Sequence, residues 1–283
     1  MGGNSATSGT YESYPPTAWL LDHRRQLSWG QWRLMAGHSK WAQIKRKKAV
    51  TDARRGQLWT KLLKEITVAA RLGGGDPTGN ARLRTAIQEA KSANVPNDNI
   101  DRAIKRGSGQ LEGFTYEEIT YEGYGPGGVA ILVEALTDNK NRTVAEVRHL
   151  FSKSGGNLGE NGCVAWMFQK RGYFAIDKQT MSEEGFMDLA LELEADDISI
   201  EEETYEIFTT PEDYSPVLDA LEKRGIELEA KELAMLPQSS VDLGADQAPK
   251  LLELLEALED NDDVQHVWAN FDIDASVLAE QAS

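Results

Sequence analysis

From residue 35 to residue 64 the chain reads MAGHSKWAQIKRKKAVTDARRGQLWTKLLK, and the chemistry such a segment performs is contact with phosphate. Lys45, Arg46, Lys47 and Lys48 stand in succession. In a helix, neighbours are about 100° apart, so four consecutive cations span most of the circumference and cannot all border a buried face. The segment must be largely exposed. Arg54 and Arg55 follow, and Lys61, Lys64 and Arg71 continue the row at helical spacing. Trp41, beside Lys40, either stacks on a base or anchors a helix. The candidate nucleic-acid-binding set is therefore Lys40, Trp41, Lys45, Arg46, Lys47, Lys48, Arg54, Arg55, Lys61, Lys64 and Arg71. Contacts of this kind position a protein on a polyanion without reading its sequence.

Other arrangements are weaker. Gly123-x-Gly125-x-x-Gly128 has the spacing of a dinucleotide fingerprint, but that motif needs a helix next, and the apolar run Val129-Ala-Ile-Leu-Val133 follows instead. A hairpin turn is expected. Cys163 lies in an apolar run ending at Phe168 and reads as a buried thiol, and a single cysteine forms no intrachain disulfide. His23, His38, His149 and His266 each lack a second ligand at metal spacing. Acidic runs at residues 192–197, 201–203 and 259–263 have no converging base or glycine cradle and read as solvated surface. No catalytic residue, metal or cofactor is expected. The chain reads as a non-enzyme.

Charge is distributed very unevenly. Residues 1–34 hold 3 Lys/Arg and 2 Asp/Glu, residues 35–110 hold 16 and 6, and residues 111–283 hold 11 and 38. These parts carry +1, +10 and −27, which give the net −16. Clustered cations raise the local potential whatever the total, so an acidic chain can still bind nucleic acid. No run approaches the roughly 18 to 20 apolar residues of a membrane-spanning helix. A soluble, cytoplasmic protein without a membrane partner is expected.

The elements that must position these residues follow from period and punctuation. Residues 1–34 read as a disordered leader or upstream extension. Residues 35–113 read as a basic helical domain: a short first helix capped by Ser39, a second over 55–72 that stops at Gly73, a third capped by Asn80, and a fourth capped by Asn97. Arg84, Lys91, Arg102, Lys105 and Arg106 fall on the outward faces of the third and fourth. Strands are expected over 114–121 and 129–136, then a helix over 143–153. Next come a strand over 163–177, a helix over 183–194, strands over 198–200 and 204–209, a helix over 211–224 and a strand over 227–235. That is the ferredoxin-like order. A last helix over 250–258 and strand over 264–273 have no partner in that unit and are expected to complete the preceding sheet. The fold class is multidomain α+β: a helical domain, a discontinuous α+β domain over 114–160 and 240–276, and a ferredoxin-like domain over 161–239 inserted in it.

Several blocks carry a resemblance. Ala36-Gly-His-Ser-Lys-Trp41 precedes the basic run; Asn80-x-Arg82-Leu-Arg84 and Asn94-x-Pro96-x-Asp98-Asn99-Ile100 follow it; then come Tyr121-Glu-Gly-Tyr-Gly-Pro-Gly-Gly128, Leu136-Thr-Asp-Asn-Lys-Asn-Arg-Thr143 and Gly155-Gly-Asn-Leu-Gly159. Their order closely resembles the YebC family of bacterial regulatory proteins and their mitochondrial translational-activator relatives. The resemblance covers Met35 to about Ile273 and implies three domains and a cytoplasmic DNA-binding transcriptional regulator. For some members it implies a translation factor associated with the ribosome and its RNA. It supplies no catalytic residues.

Overall fold

A computed structural model describes residues 52–113 and 115–273. The leader and the short first helix expected around Trp41 lie outside the described residues. Among those described, the helical head consists of α1 (Asp52–Gly73), α2 (Ala81–Ser92) and α3 (Asn97–Gly107). The apolar stripe of α1 packs Ile66, Ala69 and Ala70 against Leu83, Ala86 and Ala90 of α2 and Ile100 and Ala103 of α3. The crossing of α1 and α3 is close because residue 107 is glycine: a Cβ there would stand 2.2 Å from the Thr67 carbonyl oxygen. Asn80 fixes the α1–α2 turn. Its side chain accepts from the Leu83 N–H and donates to the carbonyls of Ala69 and Gly74. Asn97 does not cap α3. Pro96 holds that place, and its carbonyl accepts from the Asn99 and Ile100 N–H groups, so Asn97 is the first residue inside the helix.

The body is an antiparallel sheet in the order β3-β1-β2-β9, built from β1 (Glu117–Tyr124), β2 (Ala130–Thr137), β3 (Asn157–Leu158) and β9 (Val264–Ala269). Helices α4 (Lys140–Lys153) and α7 (Ala248–Glu259) cover the face that carries Ile131, Val133 and Ala135. On the opposite face Ala130 and Leu132 meet Val164, Phe168 and Trp268. Both faces of β2 are therefore buried, which accounts for the apolar run over residues 129–133. The glycine segment is a tight hairpin connection: the Gly128 N–H donates to the Gly125 carbonyl, and Gly127 and Gly128 have φ of 75° and 77°. A strand follows it, as in no dinucleotide loop.

Inserted between β3 and β8 (Val241–Leu243) is the ferredoxin-like domain: β4 (Phe168–Asp177), α5 (Glu183–Glu192), β5 (Asp197–Ile200), β6 (Thr204–Thr209), α6 (Tyr214–Lys223) and β7 (Ala230–Pro237). Its sheet order is β5-β6-β4-β7. Phe174, Ile176, Tyr205 and Ile207 pack under α5 and α6. The chain then returns, and β9 pairs antiparallel with β2.

Two expected strands are shorter than the apolar pattern suggests. Residues 165–167 form a single 3-10 turn before β4, because the Glu122 carboxylate gathers the backbone N–H groups of Gly162, Val164 and Ala165 at 2.6, 2.8 and 2.7 Å. The strand expected over 264–273 breaks at Asn270, whose side-chain oxygen accepts from the Ala130 N–H at 2.7 Å. Beyond the break, β10 (Phe271–Ile273) pairs parallel with β8.

Candidate nucleic-acid interface

Helix α1 divides its polar residues between two tasks. Gln57, Lys61 and Lys64 lie at i, i+4 and i+7, one stripe of the helix. This stripe is laid against the end of α7. Gln57 donates to the Asp260 carbonyl, Lys61 to that of Glu259, and Lys64 to that of Asp262 at 2.8 Å. The last carbonyls of a helix have no partner within it and carry its negative partial charge, so cations are favoured there. The Lys64 ammonium also lies 2.6 Å from Asp263 Oδ1. Lys64 is 8% exposed and Asp263 3%. Lys64 therefore leaves the phosphate-binding set: its charge is spent inside the molecule. Lys61 is half-buried in the same seam.

Asp263 is a hub. Its Oδ2 accepts from Arg142 at 2.6 Å, Thr143 at 2.7 Å and Thr137 at 3.1 Å. Burial alone would raise its pKa; hydrogen bonds from Arg142, Lys64 and Thr143, with the charge of Lys64, outweigh that and bring it down to about 2. The carboxylate is therefore ionised at neutral pH.

The remaining candidates are placed as follows. Arg55 is exposed near the start of α1, and Arg54 lies in the same helix with its side chain outside the described residues. Lys40, Trp41, Lys45, Arg46, Lys47 and Lys48 also lie outside the described residues. Arg71 is exposed at the end of α1 and donates to the Tyr116 carbonyl. With Arg106 it lines a cavity of about 410 Å³ at the junction of head and body.

Five further cations are exposed on the head: Arg84 and Lys91 on α2, and Arg102, Lys105 and Arg106 on α3. None of the five forms an ion pair with a carboxylate among the described residues. Arg82, by contrast, lies between Glu65 and Glu118. The five belong in the candidate surface although the initial set omits them. Their signal in the sequence is outward phase on α2 and α3 with few acids nearby to pair them. Among the described residues no group of three or more His, Cys, Asp and Glu is arranged to hold a metal ion, and no helix is long and apolar enough to cross a membrane.

Residues 39–110 match the family model described as the TACO1/YebC protein N-terminal domain, and residues 116–271 match that of the TACO1/YebC second and third domain. The chain belongs to the TACO1/YebC family. Its head is thus the family's N-terminal domain, and the body with its insertion the second and third. A "probable transcriptional regulatory protein" of Natranaerobius thermophilus is 57% identical over 247 residues, 86% of this chain and 99% of that one. A protein of Geobacter sulfurreducens named in the same words is 57% identical over 239 residues, 84% of this chain and 96% of its own length. The crystal structure of the conserved hypothetical protein Aq1575 from Aquifex aeolicus superposes with a TM-score of 0.76 at 51% identity, covering 83% of this chain and 97% of that one. The names borne by these TACO1/YebC relatives support a regulatory role.

Proposed function

We propose that this protein is a cytoplasmic, non-enzymatic regulator of gene expression that binds nucleic acid by contacting phosphates with its basic helical head. The observation that carries this reading is the segregation of charge: +10 over residues 35–110 against −27 over residues 111–283. The surface consists of the stretch from Lys40 to Lys48, Arg54, Arg55 and Arg71, joined by Arg84, Lys91, Arg102, Lys105 and Arg106. The names of the relatives favour DNA as the partner and transcription as the process regulated.

A second reading, ribosomal RNA with a role in translation, draws on α3. Its outward residues at the N-terminal end are Asn97, Asp98 and Asp101. Two carboxylates there oppose the entry of that helix end between the phosphates of a DNA groove, where a recognition helix reads bases. Folded RNA is recognised largely by shape, which a cationic surface without a reading helix serves. Nucleic acid cross-linked to the protein in cells separates the two. Promoter enrichment supports the first; ribosomal RNA without promoter enrichment removes it.

The surface makes a quantitative prediction. Lys47→Ala should weaken binding about equally for all sequences and reduce the salt slope by about one unit or less. The pair Lys105→Ala and Arg106→Ala should reduce it by at most about two. Titrations of the binding constant against salt check both.

A further inference from the structure

We propose that Asp263 is a positioning residue for nucleic-acid binding, a clamp that fixes the basic head on the acidic body by holding Lys64 of α1 and Arg142 of α4 together. The inference rests on the reading of the head as the polyanion-binding surface.

Covalently, head and body are joined only through residues 108–116, a connection that contains Gly109 and Gly113. The angle between head and body therefore also depends on the contacts made across the seam. The Arg82–Glu118 ion pair also crosses from head to body, but both side chains are about half exposed, at 42% and 49%, and pairs of that kind are screened and weak. Among the described residues Arg71 donates to the Tyr116 carbonyl, at the end of the connection itself.

The Asp263 contact is of another kind. Its backbone belongs to the body: the carbonyl accepts from the Leu136 N–H at 2.7 Å, and its N–H donates to Asn261 Oδ1 at 2.9 Å. Its side chain crosses to the head, and both partners of the Lys64 pair are buried. Gln57 and Lys61, seated on the end of α7, extend the contact along α1 by two turns. Opening the seam breaks the Lys64–Asp263 pair together with the Gln57 and Lys61 contacts to the end of α7, so the three hold the orientation as one unit.

Orientation matters because of what the body carries. Exposed charges act over about 8 Å at physiological ionic strength. A head free to swing on its connection would bring the carboxylates of a strongly acidic body within that distance of the phosphates it binds. On this proposal, a head held at one angle keeps most of them away from the bound phosphates.

Asp263→Asn distinguishes positioning from simple electrostatics. It removes a negative charge, so a role limited to charge predicts tighter binding; loss of the clamp predicts weaker. The full chain, with Cys163→Ser, Ser92→Cys and Ser239→Cys, would be spin-labelled at residues 92 and 239 to measure the distance between head and inserted domain. Binding would be measured on a 30-base-pair DNA duplex and on a ribosomal RNA fragment, at low and high salt. For Asp263→Asn the expected results are a broadened distance distribution and about tenfold weaker binding at low salt. The loss should shrink as salt screens the body. Thr143→Val removes one hydrogen bond to Asp263 and no charge. It keeps the test open if the first variant does not fold, and should give a smaller change of the same sign in both readouts. Unchanged distances, or broadened distances with equal or tighter binding, would overturn the proposal. A parent chain that binds neither nucleic acid would instead remove the functional reading itself, while its distances still report whether Asp263 holds the head.

Discussion

Lys64→Ala is expected to lower the stability of the docked head by about 3 kcal/mol or more, the effect of removing one partner from a buried ion pair. Arg142 and the hydroxyls of Thr137 and Thr143 remain on Asp263, which keeps the loss towards the lower end of the usual 3 to 5 kcal/mol. An exposed phosphate-binding lysine would behave differently. Its removal would change stability by a few tenths of a kcal/mol and reduce binding. Urea dependence of amide hydrogen exchange in α1, whose Trp59 indole N–H donates to the Ala93 carbonyl within the head, measures the loss. Acid supplies a second signature. Asp263 has its pKa lowered from 3.8 to about 2, so its contribution is fully present above about pH 4 and disappears as pH falls towards 2. The stability difference between parent and variant should be constant above pH 4 and shrink below it.

Glu122→Ala is expected to cost about 3 kcal/mol or more, because it leaves three backbone N–H donors, those of Gly162, Val164 and Ala165, without their acceptor. Burial acts to raise the Glu122 pKa; these three hydrogen bonds outweigh it and hold the carboxyl below its ordinary range. Glu122→Gln keeps one acceptor oxygen and should lose roughly half as much. Amide hydrogen exchange locates the effect: protection at Gly162, Val164 and Ala165 should fall sharply in the alanine variant and partly in the glutamine variant. Unaltered protection would mean that the carboxylate does not organise the turn.

These two carboxylates also show how far the sequence can be read. The Asn80 cap was legible because its contact to the Leu83 N–H is three residues away, and the ferredoxin-like order because each element has its own period. Asp263 was not. It sits in a run of acids that reads as solvated surface, and its partner Lys64 lies 199 positions earlier. Lys64 in turn is on the helix face that phasing marks as outward, since phasing knows nothing of the end of α7. Glu122 belongs to a glycine-rich segment with every mark of a turn; only folding brings residues 162–165 to it. The break at Asn270 has the same origin, a bond to Ala130 140 positions away. Local chemistry reveals elements and the sign of a surface. Which cations a surface keeps for a partner depends on tertiary contacts.

The most direct test of the head as the nucleic-acid-binding surface is the salt dependence of binding by the full chain, with Lys45, Arg46, Lys47 and Lys48 unchanged or all replaced by alanine. The logarithm of the binding constant should fall linearly with the logarithm of salt concentration, and the variant should show lower affinity and a slope shallower by up to about four units. Equal affinity and equal slope in the two proteins would contradict the account.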